Sequence, residues 1–163
     1  MKKTSGTMVA IIVVAILIGT FITAKYATAG ESAKDGRFIA YGNGTVLDTQ
    51  TNLMWAAKDI GRDINWENAR SYCRNYSGGG YKDWRMPTQN ELAGLYDQDK
   101  TYNTVCGDNV HLTELIRLTC RLVWASRTRG DTAAVFNFSD GHRFWNRQSG
   151  VRKYRVLPVR SGK

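Results

Sequence analysis

The last third of the chain carries a dense set of arginines with few acidic neighbours. Eleven basic residues follow Glu114, and only two of them are lysines. They are Arg117, Arg121, Arg127, Arg129, Arg143, Arg147, Arg152, Lys153, Arg155, Arg160 and Lys163. The planar guanidinium group can hold a sulfate, phosphate or carboxylate through two parallel hydrogen bonds, so this composition favours oxyanion recognition. Because Asp131 and Asp140 are the only acids after Glu114, few partners are close in sequence. A solvated strand face with paired charges is the alternative.

The tryptophans divide into four core candidates and one candidate for ligand contact. Trp145 lies beside Arg143, Asn146 and Arg147 near a predicted hairpin, whereas the other four occupy regular apolar positions typical of core residues. Those four are Trp55, Trp66, Trp84 and Trp124. The predicted binding residues for an anionic polymer are therefore Arg127, Arg129, Arg143, Trp145, Arg147, Arg152 and Lys153. For Arg85 we predict a structural role, pairing a carboxylate or capping carbonyl groups.

The sequence indicates neither a catalytic residue nor a cofactor. Ser126 and Ser139 lack an obvious arrangement with a histidine and an acid, and the glycine runs fit neither a P-loop nor a dinucleotide-binding fingerprint. His111 and His142 are isolated, and the cysteines lack the paired short spacing of zinc sites. An Asp-x-Asp pair at residues 97–99 could bind calcium, but without further oxygen ligands it is more typical of a solvated turn. We predict no metal site.

Two helices and two groups of strands must position these side chains. Residues 66–76 show helical apolar spacing behind Asn65 as N-cap, and Thr88 with Glu91 fits a capping box that begins a second helix. Residues 37–57 read as three strands joined by turns, and residues 97–109 as a polar loop followed by a short helix over 111–119. Further strands are predicted at 122–126, 133–138, 143–146 and 154–160. The fold class is α+β, one compact domain whose terminal strands could share an antiparallel sheet around two central helices.

The first 29 residues resemble an export signal. Lys2 and Lys3 precede an apolar run over residues 8–22, and Ala27-Thr28-Ala29 is a small-x-small cleavage site. An uncleaved N-terminal membrane anchor is the alternative, since the run is only slightly shorter than a span of about 20 residues. Residues 30–163 then form one domain with a net charge of +6, because three of the 23 basic residues and none of the 14 acidic ones precede Gly30. The expected location is the periplasm or cell surface, with inner-membrane anchoring as the alternative.

Three cysteines in an exported chain form one disulfide and leave one thiol. Cys106 and Cys120 bracket a short loop and are the predicted pair. Cys73 lies on the apolar face of the first predicted helix, where a buried thiol is expected.

Six short segments, taken in order, resemble the Lcl C-terminal domain family, a domain of unknown function named for the end of a bacterial collagen-like adhesin. They lie at residues 44–55, 66–73, 80–92, 123–126, 137–141 and 155–160, and the most informative reads Asp83-Trp84-Arg85-Met86-Pro87-Thr88. The resemblance implies an exported domain with a C-type lectin-like fold, adhesion to sulfated polysaccharide, and no established enzyme activity. It also implies a disulfide from the first helix to the C-terminal strand. Here residues 155–160 contain no cysteine, so Cys73 lacks that partner.

We therefore predict an exported, non-enzymatic binding module that recognises an anionic polysaccharide, such as sulfated glycan in adhesion, or another envelope polyanion. Nucleic acid is not a favoured partner, a membrane would be contacted only through an uncleaved N-terminal segment, and a homo-oligomer remains open. A structural or assembly component of the cell envelope or of a surface filament is the main alternative. An enzyme descended from a lectin-like fold would need Cys106 and Cys120 as a reactive pair, which a structural disulfide explains more simply.

Cleavage after Ala29 predicts that protein recovered from its native envelope begins at Gly30, because the signal is removed during export. Mass spectrometry of the intact chain measures this directly. A membrane-extracted species that begins at Met1 or Lys2 would contradict cleavage and support the anchor.

Overall fold

Four short strands open the part of the chain that the structure describes. The computed structural model describes residues 30–162, so the predicted export signal and Lys163 lie outside the described residues. The strands are β1 (Glu31–Asp35), β2 (Phe38–Tyr41), β3 (Thr45–Asp48) and β4 (Leu53–Ala56), each antiparallel to the next. Gly44 adopts a φ of +79° in the turn between β2 and β3, a conformation that glycine takes without steric cost. The three predicted strands are confirmed, and β1 is an additional one.

Both predicted helices are present and begin where their capping residues indicate. Helix α1 (Trp66–Asn75) begins after Asn65, whose side-chain oxygen accepts from the Asn68 amide at 2.9 Å. Helix α2 (Gln89–Leu95) begins after Thr88. The Thr88 hydroxyl accepts from the Glu91 amide at 3.2 Å, and the Glu91 carboxylate accepts from the Thr88 amide at 2.7 Å. The capping box is therefore confirmed, and it satisfies amides that the helix cannot pair internally.

The Glu91 carboxylate also binds Arg85, which confirms the predicted structural role of this arginine. The two guanidinium nitrogens of Arg85 donate to the two Glu91 oxygens at 2.8 and 2.5 Å, a bidentate pair. Burial raises the pKa of Glu91, but the hydrogen bonds from Arg85 and Thr88 outweigh burial and hold that pKa below its ordinary value. One carboxylate thus ties the loop before α2 to the helix.

The predicted polar loop contains a small hairpin, and the predicted helix over residues 111–119 is wrong. The hairpin strands are β5 (Tyr102–Asn103) and β6 (Asn109–Val110). In the following segment, amides donate to groups far away in sequence. The amide of Arg117 donates to the carbonyl oxygen of Ala57, and that of Leu118 donates to the Tyr102 hydroxyl. The amide of Thr119 donates to the Asp59 carboxylate. Because these donors are satisfied by other segments, the internal hydrogen-bond pattern of a helix does not form.

The last third supplies the other strands. They are β7 (Leu122–Arg129), β8 (Thr132–Asn137), β9 (Arg143–Arg147), β10 (Tyr154–Arg155) and β11 (Val159–Ser161). One sheet has the order β10-β7-β8-β9, in which only the β10–β7 pair is parallel. Strand β11 joins β4 at the end of the first sheet, which confirms that strands from both ends of the domain share a sheet.

The single strand predicted over residues 154–160 is wrong, because the segment divides between the two sheets. Strand β10 pairs with β7 in one sheet and β11 pairs with β4 in the other. Between the two strands, Pro158 has no amide hydrogen to give to a ladder, and its carbonyl accepts from the Ala56 amide at 3.0 Å.

The sheet that contains β7 lies between two hydrophobic cores. Val123 and Phe136 are paired across β7 and β8 and belong to one core, whereas Trp124 and Val135 form the next pair and belong to the other. Alternate side chains of a strand point to opposite faces.

Each helix covers one face of this sheet. Helix α2 packs on the Val123 face through Leu92 and Leu95. Helix α1 packs on the Trp124 face through Trp66, Ala69 and Cys73. All four tryptophans assigned to the core are buried.

The cysteine prediction is confirmed. Cys106 and Cys120 form a disulfide with Cα atoms 5.1 Å apart, and Cys73 is a buried free thiol. Burial raises the pKa of Cys73 to about 12, so it is protonated at neutral pH.

Replacing both bridged cysteines, Cys106→Ser with Cys120→Ser, should lower the free energy of unfolding by about 3 kcal/mol, because the open loop regains conformational freedom in the unfolded chain. Urea denaturation measures the change, and reductant added to the natural protein should reproduce it. A loss below about 1 kcal/mol would contradict a structural role for the bridge.

Replacing Glu91 by glutamine should lower stability at neutral pH by about 0.5–1 kcal/mol, because the ion pair with Arg85 is lost while glutamine can still serve in the capping box. The folded-state pKa of Glu91 is depressed. Its contribution is therefore complete above the unfolded-state pKa and is lost as pH falls through the folded-state value. Thermal unfolding of the natural protein and of the Glu91→Gln variant, measured from neutral to acidic pH, should show that their difference in stability shrinks as pH falls. Glu31→Gln on exposed β1 is the control; a pH-independent difference would reject the mechanism.

Candidate anion-binding site

The ten basic residues of the last third that the structure describes do not form one free surface, because four of the arginines are engaged in ion pairs. Arg117 pairs with Glu114 at 2.8 Å, and Arg121 pairs with Asp108 at 2.9 Å. Arg155 and Arg160 are both largely buried. The acidic partners of Arg155 and Arg160 lie far earlier in the chain, so a count of acids close in sequence could not identify them.

Arg155 on β10 is the most deeply paired of these residues. Its guanidinium donates to Asp63 at 2.7 Å and to the Thr119 hydroxyl at 2.6 Å, and it lies 4.0 Å from the buried Asp59 carboxylate. Burial raises the pKa of Asp59, although hydrogen bonds from Thr119 and Gly61 and the charge of Arg155 oppose that rise. The hydrogen bond from Arg155 lowers the pKa of Asp63. This arginine stabilises the fold and is closed to a ligand.

Arg160 on β11 is likewise a structural residue. It donates to the two carboxylate oxygens of Asp83 at 2.6 and 3.1 Å, and its guanidinium carbon lies 3.9 Å from the centre of the Tyr81 ring. The contact combines a bidentate ion pair with a cation–π interaction. It fixes the start of the Asp83-Trp84-Arg85-Met86 segment against the C-terminal strand.

Four of the seven predicted binding residues share one face of the second sheet, which has the strand order β10-β7-β8-β9. Arg143, Trp145 and Arg147 alternate along the edge strand β9, and the register aligns Arg147 with Thr132 and Thr132 with Arg129. Aligned residues point to the same face. We call Arg129, Arg143, Trp145 and Arg147 the arginine strand face.

The side chains of the arginine strand face are exposed to solvent. Trp145 is 37% exposed, unlike the four core tryptophans. Arg143 donates to the Asn90 side-chain oxygen at 2.6 Å, which places it beside α2. Within residues 30–162, no ion pair involves Arg129, Arg143 or Arg147, so their charges are available to a ligand.

The other three predicted residues lie apart from β9. Arg127 is an exposed residue in the irregular stretch of β7 between Trp124 and Thr128. Arg152 and Lys153 are in the turn after β9, where the Lys153 amide donates to the Asp63 carboxylate at 3.1 Å. The structure thus separates the predicted set into the arginine strand face, Arg127 on β7, and two turn residues beside Asp63.

Residues with catalytic or metal-binding chemistry are engaged in local contacts. The His111 ring is within hydrogen-bond distance of Lys100 O, at 2.9 Å, and the His142 ring stacks on Phe144. The Asp97 carboxylate accepts from the Asp99 amide at 3.1 Å, as in an Asx turn.

The described part of the chain contains no group of three or more His, Cys, Asp or Glu residues placed to hold a metal ion. Nor does it contain a helix long and apolar enough to cross a membrane.

Sequence reasoning missed a second concentration of positive charge. A cavity of about 440 Å³ lies beside α1, and we call it the basic cleft. Its lining residues are Trp66, Arg70, Arg74, Arg85, Met86, Thr88 and Ser126. The spacing of Trp66, Arg70 and Arg74 by four residues could have indicated that they form one row on the helix. The segments opposite that row could not have been identified from the sequence.

Comparison with known proteins places the chain in a family. No curated protein matches it. The family model described as the Lcl C-terminal domain matches residues 44–160, which include both helices, the disulfide loop and the arginine strand face. Strands β3 to β10 and both helices lie within that match, whereas β1 and β2 precede it. Because the family model matches more than half of the chain, the chain belongs to the Lcl C-terminal domain family.

Proposed function

We propose that this protein is an exported, non-enzymatic binding module that recognises an anionic surface polysaccharide, or another envelope polyanion, through the arginine strand face. One observation carries the proposal: within residues 30–162, the C-terminal arginines separate into ones that have an acidic partner and exposed ones that have no ion-pair partner. Arg129, Arg143 and Arg147 belong to the second group.

The spacing of the exposed arginines suits a polymer with repeated charges. Residues four apart on a strand are separated by roughly 13 Å, and strands two apart by roughly 10 Å. Arg143 and Arg147 have the first relation, and Arg129 and Arg147 have the second. Trp145 lies between Arg143 and Arg147, where its ring can pack against the apolar face of a sugar. Each guanidinium can then meet a different sulfate or carboxylate of an extended chain.

We also propose that this domain is related to C-type lectin-like folds and that the protein acts in adhesion. A pairing of the C-terminal β11 with β4 from the N-terminal half supports the kinship, and the resemblance to an adhesin domain supports the role. Export rests on the signal-like residues 1–29, which lie outside the described part of the chain.

The double substitution Arg129→Gln with Arg147→Gln should weaken binding to immobilised heparin about fivefold, at roughly 0.5 kcal/mol for each exposed charge. The affinity of the unsubstituted protein should fall as salt rises, because exposed charges are screened over about 8 Å at physiological ionic strength. Surface plasmon resonance at two salt concentrations measures both effects, and thermal stability should hardly change.

A matched control removes the same charge elsewhere. Arg117→Gln with Arg121→Gln replaces two exposed arginines that already have acidic partners, and it should leave heparin affinity nearly unchanged. Equal losses in the two variants would show that net charge alone drives binding. If no heparin binds at low salt, an envelope-structural role becomes the better account.

A further inference from the structure

The basic cleft combines positive charge with an apolar floor. Arg70 and Arg74 extend from one row of α1, and Ser126 of β7 and Thr88 before α2 lie at the other walls. Trp66 and Met86, which form the floor, are more than nine-tenths buried and belong to the core between α1 and the second sheet. The volume of about 440 Å³ is within the range of small-molecule sites.

The charges of the cleft are not equally available. Arg85 is neutralised by its bidentate pair with Glu91. In the described residues, Arg70 and Arg74 take part in no ion pair. Arg74 makes a long contact of 3.5 Å to the Ser71 hydroxyl, and the guanidinium carbon of Arg70 lies 5.7 Å from the centre of the Trp66 ring. Two positive charges therefore remain for a ligand.

The floor offers apolar surface rather than hydrogen-bonding groups. The indole N–H of Trp66 donates to Ala125 O at 2.9 Å, so it is already satisfied inside the protein. The Met86 side chain has only a weak acceptor. A fully hydrated inorganic ion would gain nothing from this floor, whereas a ligand with a flat apolar body would remove it from water. The hydroxyls of Ser126 and Thr88 can donate at the rim.

We propose that the basic cleft binds a small amphipathic anion, in which a sulfate, sulfonate or carboxylate group is joined to a flat apolar ring. The oxyanion lies between Arg70 and Arg74, and the ring lies over Met86 and the accessible edge of Trp66. This site is distinct from the arginine strand face and requires no polymer. It adds a discrete ligand to the proposed function and does not depend on it.

The test uses naphthalene-2-sulfonate as probe for the full chain, with 2-naphthol and inorganic sulfate as partial analogues. In heteronuclear NMR titrations, the sulfonate should shift the backbone amides of Arg70, Arg74 and Ser126. Calorimetry should show that each analogue binds about tenfold more weakly or worse, since one lacks the charge and the other lacks the ring. Equal affinity for sulfate or for 2-naphthol would overturn the proposal.

Two variants locate the binding. Arg70→Gln with Arg74→Gln, both at exposed positions, should weaken the sulfonate about tenfold or more. Ser126→Tyr should abolish binding by filling the cleft without changing its charge. If the tyrosine variant does not fold, as judged by circular dichroism, the arginine variant decides alone. Sulfonate affinity unchanged by the arginine variant would overturn the proposal.

A third comparison separates this site from the polymer site. Arg129→Gln with Arg147→Gln should leave sulfonate affinity unchanged, and Arg70→Gln with Arg74→Gln should leave heparin affinity nearly unchanged. Loss of sulfonate binding in the strand-face variant would overturn the cleft assignment. Absence of heparin binding together with cleft-specific sulfonate binding would reject only the proposed polymer function.

Discussion

Burial of residues 123–125 in the first half of strand β7, on both faces of the sheet, is the constraint on which the rest of the fold depends. Trp124 points into one core, where its ring stacks on Tyr154 at 4.4 Å and its N–H donates to Ile64 O at 2.9 Å. Val123 and Ala125 point into the other core. A strand covered on both sides loses most of its apolar surface to the protein interior, which stabilises the arrangement strongly. Strands β8 and β9 extend this sheet outward until β9 becomes an exposed edge.

The same burial fixes where α1 lies and therefore where the basic cleft forms. The Trp66 indole donates to the carbonyl of Ala125, the residue next to Ser126. That hydrogen bond joins the first turn of α1 to the middle of β7. Since Arg70 and Arg74 follow Trp66 at intervals of four residues, they are brought to the rim beside Ser126. A core contact thus determines the position of a surface site.

Local features of the fold could be predicted from sequence, whereas features that depend on distant segments could not. The Asn65 cap and the Thr88–Glu91 box act over three residues, so their signals are complete within a short window. By contrast, Arg155 and Asp63 are 92 residues apart, and Arg160 and Asp83 are 77 apart. The helix expected over 111–119 failed for the same reason, because Asp59 and Tyr102 bind amides that a helix would have used. The sequence did place Arg143, Trp145 and Arg147 together among the predicted binding residues, but which arginines were already paired depended on tertiary contacts.

The two candidate sites lie on different sides of the sheet, and this has a functional consequence. Arg143 is aligned with Phe136 and contacts Asn90 of α2, so the arginine strand face is on the α2 side. The floor of the basic cleft belongs to the core on the α1 side. A ligand on either side would leave the other accessible, and the closely packed sheet between them resists deformation. The geometry therefore favours independent occupancy, with a small anion bound on the α1 side while a polymer lies along β9.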